Sequence, residues 1–284
     1  MNISKLLVAA LIGCLVILVS CSRPGDLSRG GGTFVTIKGS DTMVNLSTAW
    51  AEAFMEAHPE ALISVTGGGS GTGISALING TTDLANASRP MKPEEIAKVP
   101  NYKEFAVAMD CITIVLNPRN PINELTMDQL AKIYTGEEKN WTAFGGVNHN
   151  ISLLSRESSS GTYIFFQEHV LDKKDFSQDA KLLPAANPVI EEVSANDYAI
   201  GYVGLGYALK AGDRVKIVSI KKDAASLAVM PTEQTVRDKT YPIARPLYIY
   251  TVKEPAGYAR DFIDFCLSPE GQKLATEQDE VPIK

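Results

Sequence analysis

The sequence predicts an α/β protein built as two lobes. Three observations carry this expectation. Strand-like and helix-like patterns alternate along most of the chain, as in α/β architectures. From Thr33 onward about 250 residues remain, enough for two modest lobes. Two long extended stretches, near 105–117 and 241–252, lie far apart in the chain. That spacing permits a path that leaves the first lobe at one stretch and returns to it at the other.

The elements follow in order. FVTIKG reads as a short strand, and MVNLSTAWAEAFMEAH as a helix. In that helix Leu46, Trp50, Phe54 and Ala57 recur three or four apart and make one apolar face. ALISVT is the next strand. The glycine-rich GGGSGTG at 67–73 leads into ISALING, which Gly80 ends from the C′ position. TTDLANASR is a strand running into a loop. KPEEIAKV is a helix, with Pro93 near its first position and Glu94 and Glu95 in the first turn. FAVAMDCITIVLNP is long and extended. TMDQLAKIYTG carries a capping box, Thr126 with Gln129, and stops at Gly136. ISLLSRE is a strand and SGTYIFFQEHVL a helix. AIGYVGLGYAL and VKIVSI read as extended, as does YPIARPLYIYTV. SPEGQKLATEQ closes the chain as a helix, with Ser268 as N-cap and Pro269 at N1.

The first twenty residues stand apart. Lys5 precedes an unbroken apolar run, Leu6 to Val19, the pattern of a secretory leader over residues 1–20. The run ends in Leu18-Val19-Ser20-Cys21, which resembles a bacterial lipobox and would make Cys21 the lipidated residue; the alternative is an ordinary leader with a chance cysteine. The polar, Gly-rich stretch over 21–32 reads as a flexible tether. With 45% hydrophobic and 21% charged residues, the remainder is ordinary globular material. The formal charge of -6 becomes −7 once Lys5 leaves with the leader. There is no Lys/Arg run, which argues against nucleic acid as a partner. His58, His149 and His169 show no metal-ligand spacing. Cys111 and Cys266 each lie in an apolar stretch and read as buried thiols rather than a disulfide.

Three stretches share one grammar: strand, small hydroxyl residues with glycine, helix. They are GSDTMVN at 39–45, GGGSGTGIS at 67–75 and RESSSGTYIFF at 156–166. A helix start has unpaired N–H groups and a partial positive charge, so it suits an anion. Glycine lets backbone come close, and hydroxyls add donors that rotate to suit. Arg156 precedes the third helix by a few residues and is suited to bidentate contact with an oxyanion. Arg89, in NASRPM, is a second candidate, or a surface arginine before a proline turn. Each hydroxyl alone could be an ordinary N-cap; the threefold recurrence is what points to an anion. Other readings of the glycine-rich stretch fail on detail. A P-loop requires Gly-Lys-Ser/Thr, and no lysine follows. Gly71-x-Gly73-x-x-Ala76 fits the looser dinucleotide fingerprint, but Glu94 and Glu95 sit at a helix start and not at a strand end. A serine nucleophile would need a paired base, and no G-x-S-x-G elbow is present.

GSDTMVNLSTAWAEAF, GGGSGTGISALINGTTDLANASR, RESSSGTY and AIGYVGLGYA, in this order and spacing, resemble the phosphate-binding proteins of the phosphate-specific ABC importer. TMDQLAKIYTGEEKNW and YPIARPLYIYT extend the resemblance toward the C-terminal helix. It implies a two-lobed type II periplasmic-binding-protein fold, with hinge strands and a ligand cleft between the lobes. The first lobe would comprise 33–110 plus 246–284, and the second 111–245. It further implies a monomeric, non-catalytic carrier of inorganic phosphate that uses no cofactor or metal; the alternatives are a binder of another oxyanion, sulfate or molybdate, on the same fold, or a phosphate-sensing lipoprotein. Its partners would be the membrane permease and ATPase subunits of an importer, and the membrane itself through the Cys21 lipid. Carried over by position, Ser40, Asp41 and Thr42 form one edge of the site, with Ser70, Gly71 and Thr72 as the second. Ser88 and Arg89 stand at the end of the third strand. Arg156, Ser160, Gly161 and Thr162 come from the other lobe. One departure matters: where the better-known branch carries an aspartate that accepts the phosphate proton, this chain has Arg89. Ser158 likewise replaces an acid two places after the binding arginine. Asp41 is the acid left within the three stretches, either as the acceptor or as an N-cap of the 43–57 helix.

Overall fold

The computed structural model describes residues 34–283. The leader over 1–20, Cys21 and the tether over 21–32 lie outside the described residues.

The first half opens with β1 (Phe34–Gly39), a 3-10 turn (Asp41–Met43) and α1 (Val44–Ala57). Next come β2 (Leu62–Gly68), α2 (Ser70–Ile78) and β3 (Leu84–Ala87). β1 pairs in parallel with β2 on one side and with β3 on the other. The parallel order 2-1-3 puts the carboxyl ends of all three strands on one rim, which is where open α/β sheets hold ligands. Ser40, Ser70 and Ser88 each follow a strand on that rim. In α1, Leu46, Trp50 and Phe54 are buried as the periodicity predicts, whereas Ala57, in the final turn, is exposed.

α3 (Pro93–Ile96) leads into β4 (Lys103–Leu116), a strand of 14 residues that serves both halves. Its first part, Lys103 to Cys111, pairs antiparallel with β11 (Ala244–Thr251). Its last part, Ile112 to Leu116, pairs with β8 (Ala199–Gly204). The second half adds β5 (Glu124–Thr126), α4 (Met127–Thr135), β6 (Ser152–Arg156), α5 (Gly161–His169) and β7 (Lys181–Leu183). It continues through α6 (Ala186–Ala195), α7 (Leu205–Ala211), β9 (Lys216–Ile217), β10 (Ser219–Lys221) and α8 (Glu233–Arg237). After β11 the chain closes with α9 (Tyr258–Cys266) and α10 (Pro269–Glu277). The strands run β2-β1-β3-β11-β4-β8-β6-β7, with β9 also on β4, and β10 pairs β5 in a small second sheet.

Each half has its own core. In the first, Val35, Ile37, Leu46, Trp50, Phe54, Leu247 and Phe262 pack on one face of the sheet. Ile74, Leu77, Ala85, Ala87 and Tyr250 pack on the other. In the second half β4 shows the strand period of two: Ile112, Ile114 and Leu116 join Leu130, Phe166 and Tyr202, while Val115 faces Val189 and Val203. Cys111 and Cys266 are buried free thiols. The tail after α10 crosses back: Val281 bridges Met109 of β4 and packs in the second core.

Three sequence expectations require correction. AIGYVGLGYAL is strand only to Gly204; Leu205 to Ala211 is helical, and its apolar residues are buried on both α7 and β8. A run apolar on every side carries no period to separate helix from strand. The glycine-rich stretch does not precede its helix as a free loop either. Gly67 and Gly68 belong to β2, and α2 begins at Ser70 itself. Asp41 is not the cap of α1: the N-cap is Met43, and neither helix start there is bonded by a capping side chain.

Candidate functional site

The rim of β1, β2 and β3 meets the end of β6 and the start of α5 from the other half. Arg156 ends β6. Its side chain is 2% exposed, and its Nη2 donates to Asp41 Oδ2 at 2.9 Å. The same Nη2 donates to the Pro184 carbonyl at 2.9 Å, and Nε to the Leu183 carbonyl at 3.3 Å. Burial lowers the pKa of this guanidinium, and the Asp41 carboxylate opposes the effect. Asp41 Oδ1 accepts from the Gly68 amide at 2.9 Å. One carboxylate thus ties the glycine-rich strand end to the arginine of the opposite half. Tyr207 of α7 donates its hydroxyl to the Asp41 carbonyl at 2.8 Å, and burial, then the Asp41 charge, push its pKa up to about 12.

Hydroxyls surround this pair. Thr42 and Thr162 Oγ1 lie 3.1 Å apart across the cleft, both buried. Ser160 is the N-cap of α5, and its Oγ accepts from the Thr162 and Tyr163 amides. With its acceptor capacity engaged, that hydroxyl keeps its proton to donate. Ser40 Oγ is buried and has no hydrogen-bond partner among the described residues. A buried hydroxyl without a partner is costly, and a ligand oxygen is one way to satisfy it. Ser70 Oγ accepts from the Ser88 amide at 3.0 Å and lies 3.3 Å from Ser88 Oγ. The Gly71 amide donates across the cleft to the Ser159 carbonyl at 2.9 Å.

Two glycines are required by close approach. Gly69 has φ +92°, and a Cβ there would lie 2.6 Å from the Ser159 carbonyl oxygen. A Cβ on Gly161 would lie 2.3 Å from Ser70 Oγ and 2.7 Å from Ser88 Oγ. Both contacts run between the halves, so side chains at either position would hold them apart.

Ten of the twelve predicted residues therefore meet: Ser40, Asp41, Thr42, Ser70, Gly71, Ser88, Arg156, Ser160, Gly161 and Thr162. Thr72 stands apart, exposed on α2. Arg89 is buried near Gly71 but committed elsewhere. Glu95 takes its guanidinium with two bonds of 2.8 Å, and the Pro90 carbonyl takes a third. The acid facing Arg156 is Asp41, from the opposite half, while Ser158 is exposed.

Sequence reasoning missed Asp110 and Arg245, partners on β4 and β11. Both side chains are wholly buried, and Arg245 donates to Asp110 Oδ2 from Nε at 3.1 Å and from Nη2 at 2.9 Å. Burial raises the Asp110 pKa against the pull of Arg245. A lone charge inside each long apolar stretch was the available signal. Arg89, Arg156 and Arg245 are thus each paired with one acid. These three arginines therefore bring no surplus positive charge to the site, and what it offers an anion is aimed N–H and O–H donors.

The arrangement defines a two-lobed binding protein with a donor-lined cleft. A family model described as a PBP superfamily domain matches residues 25–270. The phosphate-binding protein PstS of Staphylococcus saprophyticus is 34% identical over 273 residues, covering 92% of this chain and 84% of the relative. That of Staphylococcus haemolyticus is 37% identical over 246 residues, covering 83% and 77%. Among solved structures, a putative phosphate ABC transporter substrate-binding protein with bound phosphate from Clostridium perfringens superposes with TM-score 0.82 at 31% identity, covering 88% of this chain and all of that one. An ABC-type phosphate transport receptor from Vibrio cholerae gives TM-score 0.72 at 30% identity, covering 87% and 99%. The chain belongs to the PBP superfamily and, within it, to the family of phosphate-binding PstS proteins.

Proposed function

We propose that the protein binds inorganic phosphate outside the cytoplasm and delivers it to the permease and ATPase subunits of an ABC importer. It does so as a monomer and without catalysis. The observation that carries this reading is the clasp around Asp41 and Arg156, where donors from both halves converge on one small volume. The names of the relatives support phosphate as the anion. Ser40, Thr42, Ser70, Ser88, Ser160, the Gly161 amide and Arg156 hold the oxygens, while the Gly71 amide stays with the Ser159 carbonyl and ties the two halves together. Asp41 accepts the phosphate proton. The first lobe is 33–110 plus 246–284 and the second 111–245; the pairing switch in β4 after Cys111 supports that division. The two move about this strand and β11 as the cleft opens and shuts. Cys21 carries the lipid that holds the protein at the membrane.

A thermal-shift panel of oxyanions on the full chain in detergent tests the ligand. A ligand that binds the native state raises its melting temperature by mass action. Phosphate is expected to raise it by several degrees at millimolar concentration, and sulfate and molybdate to leave it in place. A shift with sulfate or molybdate and none with phosphate would refute the assignment.

A further inference from the structure

Arg245 touches the site at three points. Its Nη1 donates to the Ser88 carbonyl at 3.0 Å. Its Nη2 donates to Thr162 Oγ1 at 2.9 Å and reaches Thr42 Oγ1 at 3.3 Å. Ser88 and Thr42 belong to the first half and Thr162 to the second. Arg245 itself lies on β11 opposite Asp110, next to the point where β4 changes partners. The guanidinium rests over the Phe165 ring, 5.6 Å from its centroid, and is out of contact with solvent.

The proton count is informative. Arg is a donor only, so a threonine oxygen facing it must accept. Each threonine hydroxyl has one proton. The Thr42–Thr162 bond uses one of the two. The other is barred from pointing at Arg245 and is left to donate elsewhere. Asp110 in turn fixes the fork: it takes the Nε proton and one Nη2 proton, leaving the second Nη2 proton for the threonines. The Leu205 amide holds the second Asp110 oxygen at 3.1 Å.

We infer that the Arg245–Asp110 pair sets the hydroxyl orientations of Thr42 and Thr162, so that one of them is a committed donor to phosphate when the halves meet. Arg245 is thereby a positioning residue acting through the threonines, not a contact of the anion. The inference rests on the phosphate-binding reading. A lysine at 245 could keep the ion pair but lacks the fork that serves carboxylate and hydroxyls together.

The test is calorimetric titration of inorganic phosphate into the full chain in detergent. The proteins are wild type, R245K, T162V, R245K/T162V and the charge-free pair R245M/D110L. Replacing both members of a buried ion pair with apolar groups is often neutral for stability, so R245M/D110L guards against simple unfolding. The expected result is at least a tenfold loss for R245K and for T162V, with the double variant no weaker than the worse single one. R245M/D110L is expected to melt near wild type and lose as much affinity. Binding by R245K, or by folded R245M/D110L, within twofold of wild type would overturn the inference. So would additive losses in R245K/T162V, which would mean independent action. If R245M/D110L does not fold, R245K and the cycle decide. Wild type without phosphate binding would instead remove the underlying function, an outcome distinct from all of these.

Discussion

Asp41→Asn separates two roles that the Asp41 carboxylate could play. Asp41 Oδ1 accepts from the Gly68 amide and Oδ2 from Arg156, each at 2.9 Å. A carboxylate offers about four acceptor positions, so these two bonds leave room for about two more. Monohydrogen phosphate can fill one with its own proton. Sulfate has no proton near neutral pH and would set its oxygens against the same lone pairs. A hydrogen bond to a charged group contributes about 1.5–3 kcal/mol, which corresponds to roughly 10- to 150-fold in the phosphate-to-sulfate ratio. Asparagine keeps the shape, removes the charge and can donate from Nδ2. It also leaves Arg156 without its acid, which strengthens the pull on any anion. The absolute affinities will therefore both shift, and the ratio is the quantity to read. Parallel calorimetric titrations with phosphate and sulfate at pH 7 and one ionic strength measure it. The ratio is expected to fall at least tenfold in D41N. A ratio within threefold of wild type would show that Asp41 only orients Arg156.

Three further outcomes follow from particular contacts. Gly161→Ala places a Cβ 2.3 Å from Ser70 Oγ, a hydroxyl already held by the Ser88 amide, and overpacking costs about 1–3 kcal/mol. Phosphate affinity is expected to drop about tenfold with little change in melting temperature, because the collision exists only when the halves are shut; unchanged affinity would contradict this. Glu280 is buried, its Oε2 without a partner among the described residues, and burial, then the Asp110 charge, raise its pKa well above the ordinary value. Its protonated form is stabilising, fully so below the unfolded-state pKa, and this contribution is lost as pH rises through the folded-state pKa. E280Q is therefore expected to gain melting temperature relative to wild type as pH rises from about 4 to 8; a gap independent of pH would refute the assignment. Cys21→Ser is expected to move the protein from the membrane fraction to the soluble fraction, and retention in the membrane would count against the lipid anchor.

Much of this architecture was legible because local chemistry agreed with the tertiary outcome. The Thr126–Gln129 capping box, the stop at Gly136 and the Ser268 cap with Pro269 all stand where the sequence placed them. The apolar spacing of Leu46, Trp50 and Phe54 found the buried face of α1. The helix Ala186–Ala195 was not legible. Pro188 reads as a breaker, yet a proline in the first turn removes no intrahelical bond. Within the site, hydroxyls and glycines declared themselves by recurring before helices. Arg245 and Asp110 did not, because their partnership depends on the register of two strands more than a hundred residues apart in sequence. The commitment of Arg89 to Glu95 was hidden for a different reason. Glu95 reads as a first-turn helix acid, and it does take the Lys92 amide, but its carboxylate also closes on Arg89.

The central claim is that buried donors from both halves, with Arg156 the one charged donor facing Asp41 across the cleft, grip a single phosphate. Titration of phosphate into wild type and Arg156→Ala, side by side at pH 7, tests it most directly. Removal of a charge-assisted donor costs about 1.5–3 kcal/mol. Wild type is expected to bind one phosphate per chain with micromolar or tighter affinity, and R156A at least tenfold more weakly. Equal affinity in the two proteins, or no saturable phosphate binding by wild type, would contradict the account.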